Sequence, residues 1–251
     1  MGALAGRRAW VTGAGSGIGR ATAVLLAAEG ARVALTGRRR APLEETAALI
    51  GPSALVFPAD LTDPAQVEAA RDAVLAAFGG LDLVVSNAGA NAPNRSWSAI
   101  DAATVTMIME ADLKAPFLVA RAVLPDLRSS RGIIVHVASW AGRFVGALPG
   151  PAYTAAKHGL VALSHSLNLE ACRDGVRSCV IEPGEVDTPI LDRRPIPLPA
   201  DVRARMLKPE DVAQAILFVA TRPPHVCINE ILLSPTANRG YLAEAEAAAQ
   251  G

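Results

Sequence analysis

Seven short apolar runs alternate with longer amphipathic stretches along the chain, and this alternation constrains the fold more than any other feature of the sequence. The runs have the length and composition of buried strands, whereas the stretches between them repeat apolar residues at helical spacing. Strands and helices in regular succession imply parallel strands joined by right-handed crossovers. The sequence therefore predicts an α/β protein with a doubly wound sheet of seven mainly parallel strands and helices on both faces. The predicted strands are Ala9–Thr12, Arg32–Thr36, Ala54–Phe57, Leu81–Ser86, Ile133–Val137, Ser178–Glu182 and Glu230–Leu233.

Size and charge limit the classes of protein to which the chain can belong. It has 251 residues, of which 51% are hydrophobic, and its formal net charge is zero. No apolar run is long enough for a membrane-spanning helix, so we expect a globular protein with no membrane partner. Nucleic-acid binding needs a basic surface, so we expect no nucleic-acid partner either. No repeat or linker divides the sequence, and we expect one domain over residues 1–251.

The cysteines and histidines show no pattern for a metal site or a disulfide framework. Cys172, Cys179 and Cys227 form no CxxC pair, and an odd number argues against disulfide pairing. None of the four histidines has the spacing of metal ligands, and His136, in the middle of a predicted strand, is interpreted as a hydrogen-bonded core residue. The N-terminus lacks a signal-peptide core. We therefore expect no metal and a cytoplasmic location.

A glycine-rich segment follows the first predicted strand directly and leads into a helical pattern. Its glycines have the spacing GxxxGxG, which differs from GxGxxG because Ile18 stands where the last glycine of that pattern would be. Glycine lets the backbone turn tightly and approach a pyrophosphate, and a helix N-terminus offers unpaired N–H groups to the phosphates. The segment therefore predicts a dinucleotide site formed by Gly13, Gly15, Ser16, Gly17, Ile18 and Gly19.

Tyr153 and Lys157 stand four residues apart in the run YTAAK, within a helical pattern. Side chains at this spacing project from the same face of a helix. A free tyrosine has a pKa of about 10 and is a poor acid or base at neutral pH, whereas a nearby ammonium group favours the ionised phenol. The pair is therefore a candidate for acid–base chemistry.

Several motifs, taken in order along the chain, resemble those of the short-chain dehydrogenase/reductase family of the compact single-domain type. The resemblance implies a Rossmann-type fold and transfer of a hydride between a nicotinamide cofactor and a carbonyl or alcohol. In this family the tyrosine exchanges a proton with the reacting oxygen, the serine hydrogen-bonds that oxygen, and the lysine binds the nicotinamide ribose and lowers the tyrosine pKa. The family's TGxxxGxG loop, NAG turn, serine, YxxxK and PG motifs match Thr12 to Gly19, Asn87 to Gly89, Ser139, Tyr153 to Lys157, and Pro183-Gly184.

The resemblance also implies the remaining contacts with the cofactor. Asp60 has an alternative role as the cap of the helix that follows it, for which Asp63 is the better candidate. The matched positions are Asp60 and Leu61 at the adenine, Asn87, Ala88 and Gly89 beneath the adjoining ribose, and Pro183, Gly184, Val186 and Thr188 at the nicotinamide carboxamide.

The end of the second predicted strand distinguishes between the two nicotinamide cofactors. An acidic residue about twenty positions after the glycine loop would bind the free 2′-hydroxyl of NAD(H), but this place holds Gly37 followed by Arg38 and Arg39. Guanidinium groups suit a 2′-phosphate, which a carboxylate would repel. We therefore predict NADP(H) over NAD(H). The alternative is that Arg38 to Arg40 form a solvated helix start and that other groups hold the nucleotide.

One catalytic position departs from the family pattern. The family has an asparagine that holds a water next to the lysine, and in the matching run EADLK this position is Asp112. An ionised carboxylate near Lys157 would offset part of the positive potential acting on Tyr153. The relay would then work with a more basic pH optimum or be weakened. The alternative is that Asp112 faces solvent.

Apolar residues around the serine and the tyrosine predict the character of the substrate. They suit a ketone or secondary alcohol with a hydrophobic or aromatic side, although core packing is an alternative for Phe144 and Val145. The candidates for the apolar wall are Trp140, Phe144, Val145, Leu148 and Pro149.

Two features favour a hydroxy acid as the alternative substrate. Arg95, near Trp97, and Arg143 are each candidates to bind a substrate carboxylate, and the ending INEILLSPT resembles a family subgroup that includes hydroxy-acid dehydrogenases. A further hypothesis is a low-turnover NADP(H)-binding regulator. It rests on Asp112 alone, and the presence of the serine, the tyrosine and the lysine argues against it.

Residues 188–206 interrupt the regular alternation of strands and helices. The segment holds Pro189, Pro195, Pro197 and Pro199, which is too much proline for a continuous core element. It also follows the carboxyl end of a strand, where ligands bind in such folds. We therefore predict a substrate lid at about 188–206, with a solvated insertion as the alternative.

Two apolar helical patterns predict an assembly of several chains. Leu160, Leu163 and Leu167 form one stripe, and the pattern from Leu113 to Arg128 is apolar on more than one side. The corresponding helices form a four-helix contact in the resembling family, which implies a homotetramer or homodimer. The alternative is that the stripes face only the chain's own sheet.

Overall fold

A parallel sheet forms the centre of the fold. The structure, a computed structural model, describes residues 2–193 and 198–249. Within these ranges the strands, in chain order, are β1 (Arg8–Thr12), β2 (Arg32–Thr36), β3 (Ala54–Val56), β4 (Leu83–Ser86), β5 (Ile133–Val137), β6 (Arg177–Pro183) and β7 (Glu230–Leu233). They lie in the order β3-β2-β1-β4-β5-β6-β7, and every neighbouring pair is parallel. The predicted doubly wound sheet is confirmed.

Helices cover both faces of the sheet. The described α-helices are α1 (Gly17–Ala28), α2 (Arg40–Ile50), α3 (Pro64–Phe78), α4 (Ala102–Met109), α5 (Ala115–Ser130), α6 (Pro151–Ala171), α7 (Ala200–Ala204), α8 (Pro209–Ala220) and α9 (Arg239–Ala249). A π-helical turn, Glu110–Lys114, joins α4 to α5, and short 3₁₀ turns occupy Trp140–Gly142, Cys172–Asp174 and Pro189–Arg193.

Two apolar cores lie on opposite faces of the sheet. Val11 of β1 packs in a core with Leu26 of α1 and Ile216 of α8, whereas its neighbour Trp10 packs on the other face with Val123 of α5. Successive residues of a strand point to opposite faces, so a strand buried on both sides contributes to both cores. The order of the strands reverses between β1 and β4, and their carboxyl ends therefore frame the crevice where ligands bind in open α/β sheets.

The structure shows which of two acidic residues, Asp60 and Asp63, caps α3. Asp63 caps this helix, since its carboxylate accepts a hydrogen bond from Ala65 N at 2.9 Å. Asp60 instead closes a turn, because its Oδ1 accepts from Thr62 N at 3.0 Å. The alternative interpretation of Asp60 as a helix cap is therefore wrong.

The predicted leucine stripe of α6 packs against the chain's own core. Leu160 is buried against Ala138 and Val180, and Leu163 and Leu167 pack against the core on the α5 face of the sheet. Other apolar residues of the same helix pair are exposed, namely Phe117 at 56% and Leu169 at 85%. The leucine stripe thus fits the alternative in which it faces the chain's own sheet.

Two findings bear on the remaining expectations about the class of protein. In the described ranges, no helix combines the length and the apolar character needed to cross a membrane. All three cysteines have free thiols.

Candidate active site

A large cavity lies at the carboxyl ends of the central strands and contains residues from every predicted motif. Its volume of about 1370 Å³ exceeds the roughly 300–1,000 Å³ of a typical small-molecule pocket, so it has room for a dinucleotide and a small substrate together. Of the predicted site residues, the cavity is lined by Gly13, Gly15, Ser16, Gly17, Ile18, Arg38, Arg39, Asp60, Leu61, Asn87, Ala88, Gly89, Asp112, Ser139, Tyr153, Lys157, Pro183, Gly184, Val186 and Thr188.

The glycine loop and the NAG turn are held together by Thr12. Its hydroxyl oxygen accepts hydrogen bonds from Asn87 N at 2.9 Å and from Ala88 N at 3.1 Å, while Asn87 Nδ2 donates to Thr12 O at 3.0 Å. Gly13 has a left-handed φ of +64°, and a Cβ on it would lie 2.8 Å from Asn87 Nδ2. The close approach of these two loops therefore requires glycine at position 13.

Among the residues predicted to bind the cofactor, Gly19 is the one that the structure places outside the described lining. A Cβ on Gly19 would lie 2.3 Å from Gly13 O, so glycine there lets α1 begin directly beneath the loop. Its role in the described geometry is packing, and the wall of the cavity is formed by the loop residues above it.

Arg38 and Arg39 line the cavity at the end of β2, on the side of the glycine loop. The next residue, Arg40, begins α2 and pairs with Glu44 at 3.5 Å on the surface. The three consecutive arginines therefore occupy two different environments. Arg38 and Arg39 belong to the cavity lining, whereas Arg40 lies on the surface.

Ser139, Tyr153 and Lys157 come together at the centre of the cavity. Ser139 follows β5 and begins a 3₁₀ turn, where its hydroxyl oxygen accepts from Ala141 N at 3.2 Å. Ser139 lies near enough to Tyr153 that its side chain lowers the pKa of the tyrosine, which burial raises overall. Lys157, one helical turn after the tyrosine, places its Nζ 5.4 Å from the centre of the tyrosine ring. The serine and the helical pair are thus adjacent although different elements carry them.

Asp112 lies beside Lys157 in the interior. The π-helical turn between α4 and α5 carries it, and its side chain is 1% exposed. Its Oδ1 is 3.0 Å from Lys157 Nζ, and both carboxylate oxygens lie 3.3 Å from Ala90 N, which donates to them. The alternative in which Asp112 faces solvent is therefore wrong, and the carboxylate acts directly on the lysine.

The electrostatic balance at Tyr153 differs from the sequence expectation. Burial raises the pKa of Tyr153 above its usual value, and the charge of Asp112 raises it further. Lys157 lowers this pKa, as expected, and the hydrogen bond from Ser139 does the same, but they do not offset burial. The phenol is therefore protonated at neutral pH.

The pKa values of Lys157 and Asp112 are also shifted by their surroundings. Burial disfavours the charged form of Lys157, but the nearby carboxylate of Asp112 and the phenol of Tyr153 outweigh it and raise the pKa of the lysine. Burial raises the pKa of Asp112, and the charge of Lys157 opposes that shift. Lys157 thus stays an ammonium ion over the physiological pH range.

His136 is buried in β5, but it lacks the hydrogen bonds that the sequence interpretation gave it. Neither ring nitrogen has a partner among the described residues. Burial first, and then the charge of Lys157, lower its pKa to about 3, so the ring is neutral. The prediction that His136 is buried is thus confirmed, whereas no described residue supplies the hydrogen bond that the prediction assigned to it. Within the described ranges no cluster of three His, Cys, Asp or Glu side chains suits a metal ion.

The apolar wall lies where the sequence placed it. Trp140, Phe144, Val145, Leu148 and Pro149 all line the cavity. Phe144 is 43% exposed and Val145 is 85% exposed, so the core-packing alternative for these two residues is wrong.

The structure separates the two arginines near this wall. Arg95 lines the cavity, whereas Arg143 does not appear in its described lining. Trp97 is also absent from that lining and is 85% exposed. Spacing along the sequence could not distinguish the two arginines, because they belong to loops that follow different strands.

Only part of the predicted lid is described. Thr188, Pro189, Ile190 and Leu191 line the cavity. Asp187, just before the segment, forms an ion pair at 2.7 Å with Arg203 near the end of the segment. Pro195 and Pro197, which also supported the lid prediction, lie outside the described residues.

Sequence reasoning missed the contribution of the C-terminal segment. The start of α9 adds Asn238, Arg239 and Gly240 to the cavity lining. Arg239 Nε donates a hydrogen bond at 2.6 Å to Glu185, which follows β6 and also lines the cavity. The cap was visible in the sequence, since Asn238 Oδ1 accepts from Gly240 N at 2.9 Å, but nothing local indicated that the capped helix lies over the site.

The sequence profile described as short chain dehydrogenase matches residues 7–196. The chain belongs to this family. It is 37% identical over 242 residues to cis-4-hydroxycyclohexanecarboxylate dehydrogenase of Sinomonas cyclohexanicum, covering 92% of this chain and 95% of that protein. Two solved structures are similar. One is levodione reductase, with a TM-score of 0.84 and 29% identity over 95% of this chain and 100% of that one. The other is a 3-ketoacyl-(acyl-carrier-protein) reductase from Brucella melitensis complexed with NADH, with a TM-score of 0.85 and 28% identity over 94% of this chain and 99% of that one.

The family membership makes the chain an oxidoreductase of the short-chain dehydrogenase/reductase type, and it confirms the predicted resemblance.

Proposed function

We propose that this oxidoreductase transfers a hydride between NADP(H) and a ketone or secondary alcohol with an apolar or aromatic substituent. The observation that carries the proposal is the arrangement of Ser139, Tyr153 and Lys157 around one point of a cavity whose adjoining wall is apolar. When bound, NADPH supplies the hydride. Gly13, Gly15, Ser16, Gly17 and Ile18 would hold its pyrophosphate, since they form the glycine loop at the start of α1.

The chain's own groups supply the proton and position the substrate. The phenol of Tyr153 is protonated at neutral pH, so it suits proton donation to the oxygen of a carbonyl as that oxygen gains negative charge. Ser139 would donate a second hydrogen bond to the same oxygen. The ammonium of Lys157 stabilises the phenolate that forms, and Asp112 holds Lys157 in place. The protonated phenol is the form of Tyr153 that ketone reduction requires.

The activity is tested by following NADPH oxidation at 340 nm with a panel of ring, aryl and open-chain ketones. The proposal expects turnover with at least one of them. Tight NADPH binding without turnover across the panel would instead favour a low-turnover regulator.

The preference for NADP(H) rests on Arg38 and Arg39 in the cavity lining. A hydrogen bond to a charged group contributes about 1.5–3 kcal/mol, which is about 10- to 100-fold in affinity. We expect Arg38→Ser with Arg39→Ser to raise the KM for NADPH by at least this factor while the KM for NADH changes little. Steady-state kinetics with both cofactors measure it.

The matched control for this variant is Arg40→Ser. Arg40 follows directly in sequence but pairs with Glu44 on the surface, so its loss should leave both KM values near those of the parent protein. Equal KM values for NADPH and NADH in the parent protein would contradict the preference.

The carboxylate of Asp112 should set the pH dependence of alcohol oxidation, the direction that needs the ionised phenol. Asp112 raises the pKa of Tyr153, and replacing it by a neutral amide removes this contribution. We expect Asp112→Asn to move the acidic limb of the kcat–pH profile to lower pH while the Kd for NADPH is retained. An unchanged profile would show that the carboxylate does not influence the tyrosine.

A hydroxy acid is the second candidate substrate. The relative from Sinomonas cyclohexanicum has the printed name of a dehydrogenase for a ring hydroxy acid, and Arg95 lines the cavity here. The panel therefore includes ring ketones that carry a carboxylate.

We also propose one domain for residues 1–251, a lid at about 188–206, a cytoplasmic location, and assembly as a homotetramer or homodimer. Exposed Phe117 and Leu169 on α5 and α6 support the assembly, since apolar side chains on adjacent helices suit burial against a second copy.

A further inference from the structure

The substrate end of the cavity combines an apolar wall with a guanidinium group. Trp140, Leu148 and Pro149 line one side, and Arg95 lines the same cavity near Tyr153. An apolar wall binds a hydrocarbon frame without selecting any polar group on it. Arginine, by contrast, presents a planar fork that matches the two oxygens of a carboxylate. The arrangement therefore suits a substrate with both parts.

We infer that Arg95 binds a carboxylate of the substrate, so that this enzyme acts on a keto acid and the corresponding hydroxy acid. The inference rests on the proposed function, because it assigns a substrate class to the same site. The sequence left open an uncharged ketone or alcohol and a hydroxy acid, and this inference favours the hydroxy acid.

The position of Arg95 is fixed relative to the reacting centre by backbone packing. Arg95 lies between β4 and α4, and Gly150 directly precedes α6, which carries Tyr153. A Cβ on Gly150 would lie 2.4 Å from Arg95 O, so the two backbones are in direct contact. Asn91 reinforces this contact, since its Nδ2 donates to Pro149 O at 3.1 Å. A carboxylate held by Arg95 would therefore stand at a set position from the tyrosine hydroxyl.

The guanidinium group reaches into the interior of the site. Its Nη2 nitrogen is buried, where charge interactions are stronger than in bulk water. Among the influences on the pKa of Tyr153, burial is the largest and raises it, while the positive charge of Arg95 lowers it. The charge thus acts at the reacting centre, where it would also act on a bound anion.

Three other described cations lie near the substrate end. Lys157 pairs with Asp112 at 3.0 Å, and Arg239 pairs with Glu185 at the rim. Arg143 lies outside the described lining, and its charge acts on the buried carboxyl of Glu182, whose pKa is raised mainly by burial. Arg95, in contrast to Arg143, lines the cavity together with the apolar wall, where its guanidinium group can meet an anionic substrate.

The test compares matched keto acids and their neutral carboxamides in the NADPH oxidation assay. One such pair is 4-oxocyclohexanecarboxylate and its carboxamide, and aryl and open-chain pairs complete the panel. For at least one pair we expect the parent enzyme to prefer the acid by roughly 10- to 100-fold in kcat/KM, the range of a charge-assisted hydrogen bond. Arg95→Gln should bring this ratio close to one, and Arg95→Lys should keep part of it.

Arg143→Gln is the control, because it removes an arginine from the same region without changing the described lining. It should retain the parent preference for the acid. The inference is overturned if no acid in the panel is preferred over its carboxamide, or if Arg95→Gln lowers kcat/KM for both compounds equally. The second result would show that Arg95 only supports the structure. Failure of the proposed function looks different, since NADPH would then not be oxidised with any ketone of the panel.

Discussion

Replacing Tyr153 by phenylalanine is expected to lower kcat for NADPH-dependent ketone reduction by about 10²–10⁴-fold. The ring and its contacts remain, but the hydroxyl that would protonate the reacting oxygen is gone. The loss should appear in kcat, measured at saturating NADPH. Fluorescence titration with NADPH would show that the cofactor still binds.

Tyr241 provides a matched control, because the chain has two tyrosines and the second lies outside the reacting centre. Its ring centre is 5.6 Å from that of Trp140 in an edge-on contact, which Tyr241→Phe preserves. This variant should keep kcat close to that of the parent protein. If Tyr153→Phe reduced ketones as fast as the parent, the proton donor would have to be another group.

The second large effect is on the stability of the folded protein and concerns the buried ion pair of Lys157 and Asp112. Removing one partner of such a pair costs about 3–5 kcal/mol, because the other charge stays buried without compensation. We therefore expect Lys157→Met to lower the free energy of unfolding by about this amount near neutral pH. Urea unfolding at one fixed protein concentration measures it, since assembly would otherwise change the apparent stability.

The loss of stability in the Lys157→Met variant should increase as the pH rises. Burial raises the pKa of Asp112, and the positive charge of Lys157 opposes this shift. The Lys157→Met variant lacks that charge. A carboxyl with a raised folded-state pKa binds its proton more tightly in the folded state than in the unfolded one. Its stabilising contribution is fully present below the unfolded-state pKa of about 3.9 and is lost as pH rises through the folded-state value. Lys157→Met should therefore be less stable at pH 8 than at pH 5.

The double variant Lys157→Met with Asp112→Asn separates this mechanism from simple loss of packing. It has no titratable group at either position, so its stability should lack the decline between pH 5 and pH 8 that the single variant shows. If the single and double variants changed equally with pH, the ion pair would not be the cause.

Much of this protein could be predicted from local sequence because the deciding interactions are local. The bounds of β2, β5 and β7 agree with the predicted runs. For β2 and β5 the reason is that a strand buried on both faces needs a short continuous apolar segment. Tyr153 and Lys157 share a face because a helix repeats every 3.6 residues. The glycine loop was recognisable for a similar reason, since close backbone approach at Gly13 excludes other residues.

The sequence by itself therefore determined the order of strands and helices, the dinucleotide loop and the candidate reacting groups. Only the tertiary structure decided that Asp112 meets Lys157, that Arg95 rather than Arg143 lines the cavity, and that α9 lies over the site. The net pKa shift of Tyr153 also belongs to the tertiary structure. The physical reason is that burial and charge–charge distances arise from segments far apart in the chain, which no local pattern records.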